Sequence, residues 1–183
     1  MIVCGIAGSL RQASLNRALL RATAELAPDG MEIRIFDRVG ELPLYNQDVE
    51  EQGEPEPVHA LRSAIAEADA LLIATPEYNH GVPGVLKNAI DWASRPPRRS
   101  VLDGKPTAIL GASPGITGTA RAQSQLRPAF VFPNTPALLQ PEILVYQAAG
   151  KFDEQGRLTD EKTREFIGRL LRNLHDWATR LNG

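Results

Sequence analysis

Residues 2–16 read IVCGIAGSLRQASLN, and this stretch decides the fold class. Its first part, Ile2 to Ala7, is uninterrupted apolar sequence, which is typical of a central strand covered on both faces. From Leu15 to Leu26, apolar residues recur at helical spacing. A buried strand that passes through a short polar loop into a helix predicts the first half of a βαβ unit.

The alternation of strand and helix continues along the chain. Further strands are predicted at Met31 to Asp37, Ala70 to Thr75, Thr107 to Ala112 and within Ala137 to Tyr146. Further helices are predicted from Val58 to Ala68 and from Pro83 to Ala93. Another begins at about Gly118 and is predicted to kink near Pro128. The last helix follows Thr159, which is predicted to be its N-cap. The last helix should turn inward Phe166, Leu170, Leu174, Trp177 and Leu181. Right-handed crossovers then predict an α/β fold, a doubly wound five-stranded parallel sheet with helices on both faces, as a single domain over residues 1–183.

Ligands of doubly wound sheets bind outside the carboxyl ends of the strands, where the strand order reverses. The loops that follow the first, third and fourth strands are Gly8 to Asn16, Pro76 to Pro83 and Ser113 to Thr119. They hold the least core-like sequence of the chain. We therefore expect the functional residues in these three loops.

Composition argues against several classes of partner. The chain is 43% hydrophobic and 23% charged, with a net charge of −2 and no long basic tract. This balance predicts neither a nucleic-acid nor a membrane partner. Cys4 is the only cysteine, so no disulfide can form within the chain, and no Cys/His spacing suits a metal site. The N-terminus does not resemble a signal peptide, and the expected location is the cytoplasm.

The first loop has the chemistry of an anion site. It joins a buried strand to a helix N-terminus, where unpaired backbone N–H groups and the helix dipole favour negative charge. Ser9, Ser14, Asn16 and Arg11 add two hydroxyls, an amide and a guanidinium. The alternative is that Ser14 only caps the helix and Arg11 is solvated. Neither a G-x-G-x-x-G nor a G-x-x-x-x-G-K-[ST] pattern occurs, which favours a terminal phosphate over a dinucleotide or nucleoside triphosphate.

Two motifs together resemble the NADPH-dependent FMN reductase family, with its quinone and chromate reductase members. The first is Gly8-Ser9-Leu10-Arg11-x-x-Ser14-x-Asn16, and the second is Thr75-Pro76-Glu77-Tyr78-Asn79-His80-x-x-Pro83-x-x-Leu86-Lys87-Asn88-Ala89-Ile90-Asp91-Trp92. They stand in this order at the ends of the first and third strands, within a resemblance that covers the chain from Ile2 to about Arg127. The resemblance implies a flavodoxin-like fold.

The resemblance also implies the cofactor and the residues that hold it. The cofactor is FMN, and its phosphate is implied to lie on Ser9, Arg11, Ser14 and Asn16. The residues implied to line the flavin ring are Pro76, Glu77, Tyr78 and Asn79, and those along its pyrimidine side are Ser113, Gly115 and Gly118. Many relatives carry a Gly-Gly pair where this chain has Gly118-Thr119. No catalytic side chain is expected, because FMN carries the chemistry, although Glu77 is a candidate general base.

The activity implied is electron transfer from NADPH or NADH to a small acceptor such as a quinone or free flavin. Because donor and acceptor would share one flavin face, we expect ping-pong kinetics. Homodimers or homotetramers are expected from the family's oligomers. The same state is suggested by two apolar stripes on the Pro83 to Ala93 helix, because one of them needs a cover other than the sheet.

Two alternatives belong to other functional classes. A flavodoxin-like electron carrier that meets protein partners would share the fold, but the strong acidity usual for such carriers is missing. A serine hydrolase is suggested by Gly111-Ala112-Ser113-Pro114-Gly115, with His175 as base. Pro114 argues against the hydrolase, because it lacks the N–H that an oxyanion hole needs at this position.

Three further features leave alternatives open. His80 borders either the acceptor pocket or solvent. Tyr45 packs under its own loop or reaches a partner's flavin. The basic loop from Arg95 to Ser100 is either solvated or in contact with a phosphate of the nicotinamide cofactor.

Overall fold

The computed structural model describes residues 1–183, and its centre is one parallel sheet with the strand order β2-β1-β3-β4-β5. The strands are β1 (Ile2–Ala7), β2 (Glu32–Phe36), β3 (Ala70–Ala74), β4 (Thr107–Ala112) and β5 (Ile143–Val145). All four pairings are parallel. The order is the flavodoxin-like one of the two common doubly wound orders, so the predicted fold class is confirmed. The strand order reverses between β1 and β3.

Helices cover both faces of the sheet. They are α1 (Leu15–Glu25), α2 (Gln47–Gln52), α3 (Glu56–Ala66), α4 (Gly84–Ala93), α5 (Ala120–Leu126) and α6 (Glu161–Asn182). One core lies under α1 and α6, and the other lies under α3, α4 and α5. Each residue of β3 is buried, as expected for a strand at the centre of two cores. None of the helices is both long and apolar enough to span a bilayer.

The only cysteine belongs to this packing. Cys4 is 2% exposed on β1, and burial raises the pKa of its thiol to about 12. The thiol therefore stays protonated at neutral pH and acts as a small apolar side chain.

Helix ends and faces show where local patterns mislead. The predicted cap Thr159 is wrong, because the carboxylate of Asp160 accepts the backbone N–H of Thr163 at 2.9 Å and begins α6. Leu181 was predicted to face inward but is 44% exposed. With 22 residues α6 is about 33 Å long, whereas β1 with 6 residues is about 20 Å long. The helix is therefore longer than the sheet, and its C-terminal end extends past the sheet. Near Pro128, where a kink is predicted, α5 ends at Leu126 and passes into a 3₁₀ turn at Arg127–Phe130.

The second apolar face of α4 is covered by the chain itself. The side chains of Asn88 and Trp92 both donate to the carbonyl of Pro43, at 2.9 and 2.8 Å. The backbone N–H of Tyr45 donates back to Asn88 at 2.8 Å, and the Tyr45 ring meets Trp92 edge-on with centroids 5.0 Å apart. Trp92 is consequently 1% exposed. The inference that this face needs a partner subunit is therefore wrong.

The same segment settles the positions of Tyr45 and Arg95. The Tyr45 hydroxyl donates to Glu50 at 3.0 Å, and Arg95 donates to the same carboxylate oxygen at 3.1 Å. Tyr45 therefore packs within its own chain. The loop from Arg95 to Ser100 follows the C-terminus of α4, whose 10 residues carry the chain about 15 Å away from the carboxyl ends of the strands. No contact between this loop and the carboxyl ends of the strands follows from the fold, and the alternative of a contact with a phosphate of the nicotinamide cofactor stays a prediction.

Candidate active site

The three predicted loops meet in one cavity at the carboxyl edge of the sheet. Its volume is about 70 Å³. The predicted site residues that line it are Ser9, Arg11, Ser14, Asn16, Pro76, Glu77, Tyr78 and Ser113. Asn79, Gly115 and Gly118, which were also predicted, do not line this cavity.

The first loop keeps most of its donors free. Ser14 is the N-cap of α1, and its hydroxyl oxygen accepts the backbone N–H of Arg17 at 3.3 Å, which leaves the O–H able to donate. Ser9 shares a hydrogen bond of 3.2 Å with the phenol of Tyr78. The guanidinium of Arg11 is exposed and takes part in none of the chain's ion pairs. Together with the N-terminus of α1, these groups suit an anion.

Asn16 has a structural role that the sequence analysis missed. Its side-chain amide donates to the carbonyl of Ala112 at 2.9 Å and accepts the N–H of Ala112 at 2.8 Å. Asn16 is 3% exposed, so these bonds are shielded from water. They fix the N-terminus of α1 to the end of β4. Only one amide hydrogen remains for the predicted phosphate contact, which stays a prediction.

The second loop turns sharply after Tyr78. The backbone groups of Tyr78 and Gly81 exchange hydrogen bonds of 3.1 and 3.0 Å. Between them, Asn79 and His80 both adopt positive φ, at 49° and 64°, as in a type I′ turn. Asn79 and His80 therefore form the exposed tip of a hairpin, and Tyr78 at its base lines the cavity.

Glu77 joins the second loop to the first turn of α5. Its carboxylate accepts the backbone N–H of Arg121 and pairs with the Arg121 guanidinium, both at 3.0 Å. The Glu77 side chain is only 7% exposed. Because both carboxylate oxygens are bound to Arg121, Glu77 is poorly suited to the role of general base. Arg121 was missed in the sequence, where it is one basic residue of a predicted helix.

The third loop is fixed to the segment that follows β5. The backbone N–H of Gln147 donates to the carbonyl of Gly115 at 2.8 Å, and that of Ala148 donates to the carbonyl of Ser113 at 3.0 Å. Gly118 has a φ of +56°, and a β-carbon there would lie 2.7 Å from the backbone of Leu144. Glycine at position 118 thus permits a close approach between backbones, which is a packing role.

The geometry does not support a serine hydrolase. The Ser113 hydroxyl accepts the N–H of Gly115 at 3.1 Å, and no histidine lines the cavity. His175 lies in the second half of α6 beside Asp176, with 3.6 Å between the ring nitrogen and the carboxylate. A nucleophile without a base in reach cannot perform acyl transfer.

Comparison with known proteins agrees with the geometry. The model of the NADPH-dependent FMN reductase family matches residues 1–150. A Pseudomonas aeruginosa protein named NAD(P)H-dependent FMN reductase is 52% identical over 181 residues, covering 99% of this chain and 97% of that protein. A Pseudomonas putida quinone reductase is 43% identical over 176 residues, covering 96% of this chain and 94% of that protein. FerB is a flavoenzyme NAD(P)H:(acceptor) oxidoreductase from Paracoccus denitrificans. Its solved structure matches with a TM-score of 0.88 and 38% identity, covering 98% of this chain and 97% of FerB. The chain therefore belongs to the NADPH-dependent FMN reductase family.

Proposed function

We propose that this chain is an FMN-dependent NAD(P)H oxidoreductase that reduces quinones, free flavin or similar small acceptors. One observation carries the proposal. Segments that are far apart in sequence converge on one cavity, where Ser9, Ser14, Arg11 and the N-terminus of α1 offer donors suited to a phosphate monoester. The relatives named as FMN and quinone reductases support the same activity.

The residues have distinct roles in this proposal. Ser9, Arg11 and Ser14 bind the phosphate, and Asn16 holds the first loop against β4. The cavity of about 70 Å³ is too small for a whole flavin, so residues of the other two loops would hold the ring outside it. Those residues are Pro76, Glu77, Tyr78, Asn79, Ser113, Gly115 and Gly118. FMN, when bound, supplies the redox chemistry that side chains lack, and the chain's own residues bind and orient it.

The open rim favours a small acceptor over a protein partner. Tyr78 lines the cavity and is 44% exposed, so an aromatic ring is accessible from solvent there. A dedicated electron carrier is usually steered to its partner by strong charge, whereas this chain has a net charge of −2. The rim is therefore better suited to quinone-sized molecules.

Visible spectroscopy tests the proposal. The purified protein reconstituted with FMN should show a flavin spectrum that bleaches rapidly on anaerobic addition of NADPH or NADH and returns on addition of a quinone. A bound flavin that neither nicotinamide cofactor bleaches would favour the electron carrier. Failure to bind FMN would overturn the proposal.

The proposal predicts ping-pong kinetics. Hydride transfer requires reacting atoms about 3 to 3.5 Å apart, so nicotinamide and quinone cannot occupy the same flavin face together. Double-reciprocal plots against NADPH at several fixed quinone concentrations should therefore be parallel. Intersecting lines, with a ternary complex trapped by a dead-end quinone analogue, would contradict the shared face but not the FMN site.

Replacing Ser113 with alanine should have a small effect on reduction. The hydroxyl can contribute one hydrogen bond to the flavin, so we expect reductase activity to fall by no more than about tenfold. Ester hydrolysis should be negligible before and after the change. Measurable esterase activity that disappears in Ser113→Ala would instead establish Ser113 as a nucleophile.

The proposal includes assembly, location and domain organisation. We infer a homodimer or homotetramer, supported by large apolar side chains that are at least 70% exposed: Leu44, Ile116, Val131, Phe132 and Leu139. Light scattering coupled to size exclusion tests this state.

A cytoplasmic location is supported by the single buried cysteine, and one flavin-binding domain over residues 1–183 is supported by the single sheet.

A further inference from the structure

A second cavity lies beside the first loop, at the carboxyl ends of β1 and β2. Its volume is about 230 Å³, and most of its wall is apolar, including Leu10 and Ile35. Arg17, Arg21 and Asp37 supply its charged groups. Ser9 lines this cavity and also the cavity described above, so the two sites adjoin across one residue.

The charged groups of this cavity have no partners within the chain. Arg17 and Arg21 are one helical turn apart on α1, so their side chains lie on the same face of the helix and line the same wall of the cavity. Neither arginine nor Asp37 takes part in any of the chain's ion pairs. Two free guanidinium groups beside an apolar wall suit a ligand that carries a phosphate on an apolar body.

We propose that this cavity binds an adenosine phosphate. Arg17 and Arg21 would bind the phosphate, and the purine would lie against the apolar wall formed by Leu10 and Ile35. A ribose hydroxyl would donate to the carboxylate of Asp37. The negative charge of Asp37 would repel an anion that has no such hydroxyl. The volume is below that of a site for a whole drug-sized ligand, which fits one end of a larger molecule.

The adenylate of FAD and the 2′-phosphorylated adenosine of NADPH are two possible sources of this group. FAD extends an FMN unit beyond its phosphate by an adenylate, and a ligand held on the first loop needs only to pass Ser9 to enter the cavity. NADPH carries an adenosine 2′-phosphate, which NADH lacks. The choice of these two sources rests on the proposed function. The assignment of an adenosine phosphate rests on the residues of the cavity.

The test compares the parent protein with the double variant Arg17→Gln/Arg21→Gln. The matched control is Arg180→Gln, because Arg180 is an exposed arginine near the C-terminus of α6 without an ion pair. Titration calorimetry measures FMN and FAD on the flavin-free full chain, and 2′,5′-ADP, NADPH and NADH on the FMN-loaded chain. We expect FMN affinity to change by less than about twofold in both variants.

The expected result is a loss of about tenfold or more in the double variant for FAD, or for 2′,5′-ADP and NADPH, with the control unchanged. A loss for FAD alone identifies the adenylate of FAD, and a loss for NADPH without one for NADH identifies the 2′-phosphate. Unchanged affinity for all of these ligands would overturn the proposal, as would an equal loss for FMN and FAD. Inorganic phosphate binding as tightly as 2′,5′-ADP would overturn the adenosine assignment. If the parent does not bind FMN, the proposed function fails, and the 2′,5′-ADP titration on the flavin-free chain still tests the cavity.

Discussion

Replacing Gly111 with alanine should lower the free energy of unfolding by about 3 kcal/mol, the upper part of the range for overpacking a core. A β-carbon at position 111 would overlap the hydroxyl of Thr119 and lie 2.5 Å from the carbonyl oxygen of Thr75. The Thr75 carbonyl is backbone at the end of the neighbouring strand, so it cannot rotate away. The substitution must therefore push the second and third loops of the site apart.

The melting temperature reports this loss directly. For a chain of this length, about 3 kcal/mol corresponds to a decrease of roughly 6 to 12 °C. Gly84→Ala is the matched control, because nothing lies within 4 Å of a β-carbon there and position 84 is the first residue of α4. The control should melt at or slightly above the parent temperature, since alanine favours helix. A Gly111→Ala protein that melts with the parent would show that the backbone relaxes at no cost.

Replacing Arg11 with alanine should weaken FMN binding about ten- to a hundredfold. A hydrogen bond to a charged group contributes roughly 1.5 to 3 kcal/mol, and the Arg11 guanidinium is free to make one with the phosphate. Fluorescence quenching of FMN by the flavin-free protein measures the affinity. Riboflavin, which lacks the phosphate, should bind the parent poorly and should lose little further affinity in Arg11→Ala.

The matched control for this prediction is Arg98→Ala. Arg98 is also an exposed arginine without an ion pair, but it lies in the loop after α4, away from the carboxyl ends of the strands. It should leave FMN affinity unchanged, which separates a local contact from a general effect of charge. Unchanged FMN affinity in Arg11→Ala would show that the phosphate is not bound by this guanidinium.

Much of the fold follows from short-range patterns. The apolar runs predict β1 and β4 with the bounds that the structure has, Ile2–Ala7 and Thr107–Ala112. A cap was the alternative role considered for Ser14, and Ser14 is the N-cap of α1. These predictions succeed because hydrophobic period, capping and turn chemistry act over a few residues.

The contacts that shape the site could not be predicted in this way. Asn16 was expected on a phosphate, yet its amide bonds to a backbone 96 positions later in the chain. Glu77 was expected on the flavin ring, yet its carboxylate is bound by Arg121, 44 positions later. Nothing in the neighbouring sequence marks either pair, because each depends on which strand ends become neighbours.

The order of the five strands along the chain and the parallel sheet follow from local periodicity, and the family follows from two motifs. The cover of α4 and the bonds that hold the loops depend on long-range packing. Pro43 and Trp92, 49 positions apart, meet because the segment after β2 folds back over α4. Buried polar groups must find partners wherever the packed chain offers them, and that choice exists only after the sheet has formed.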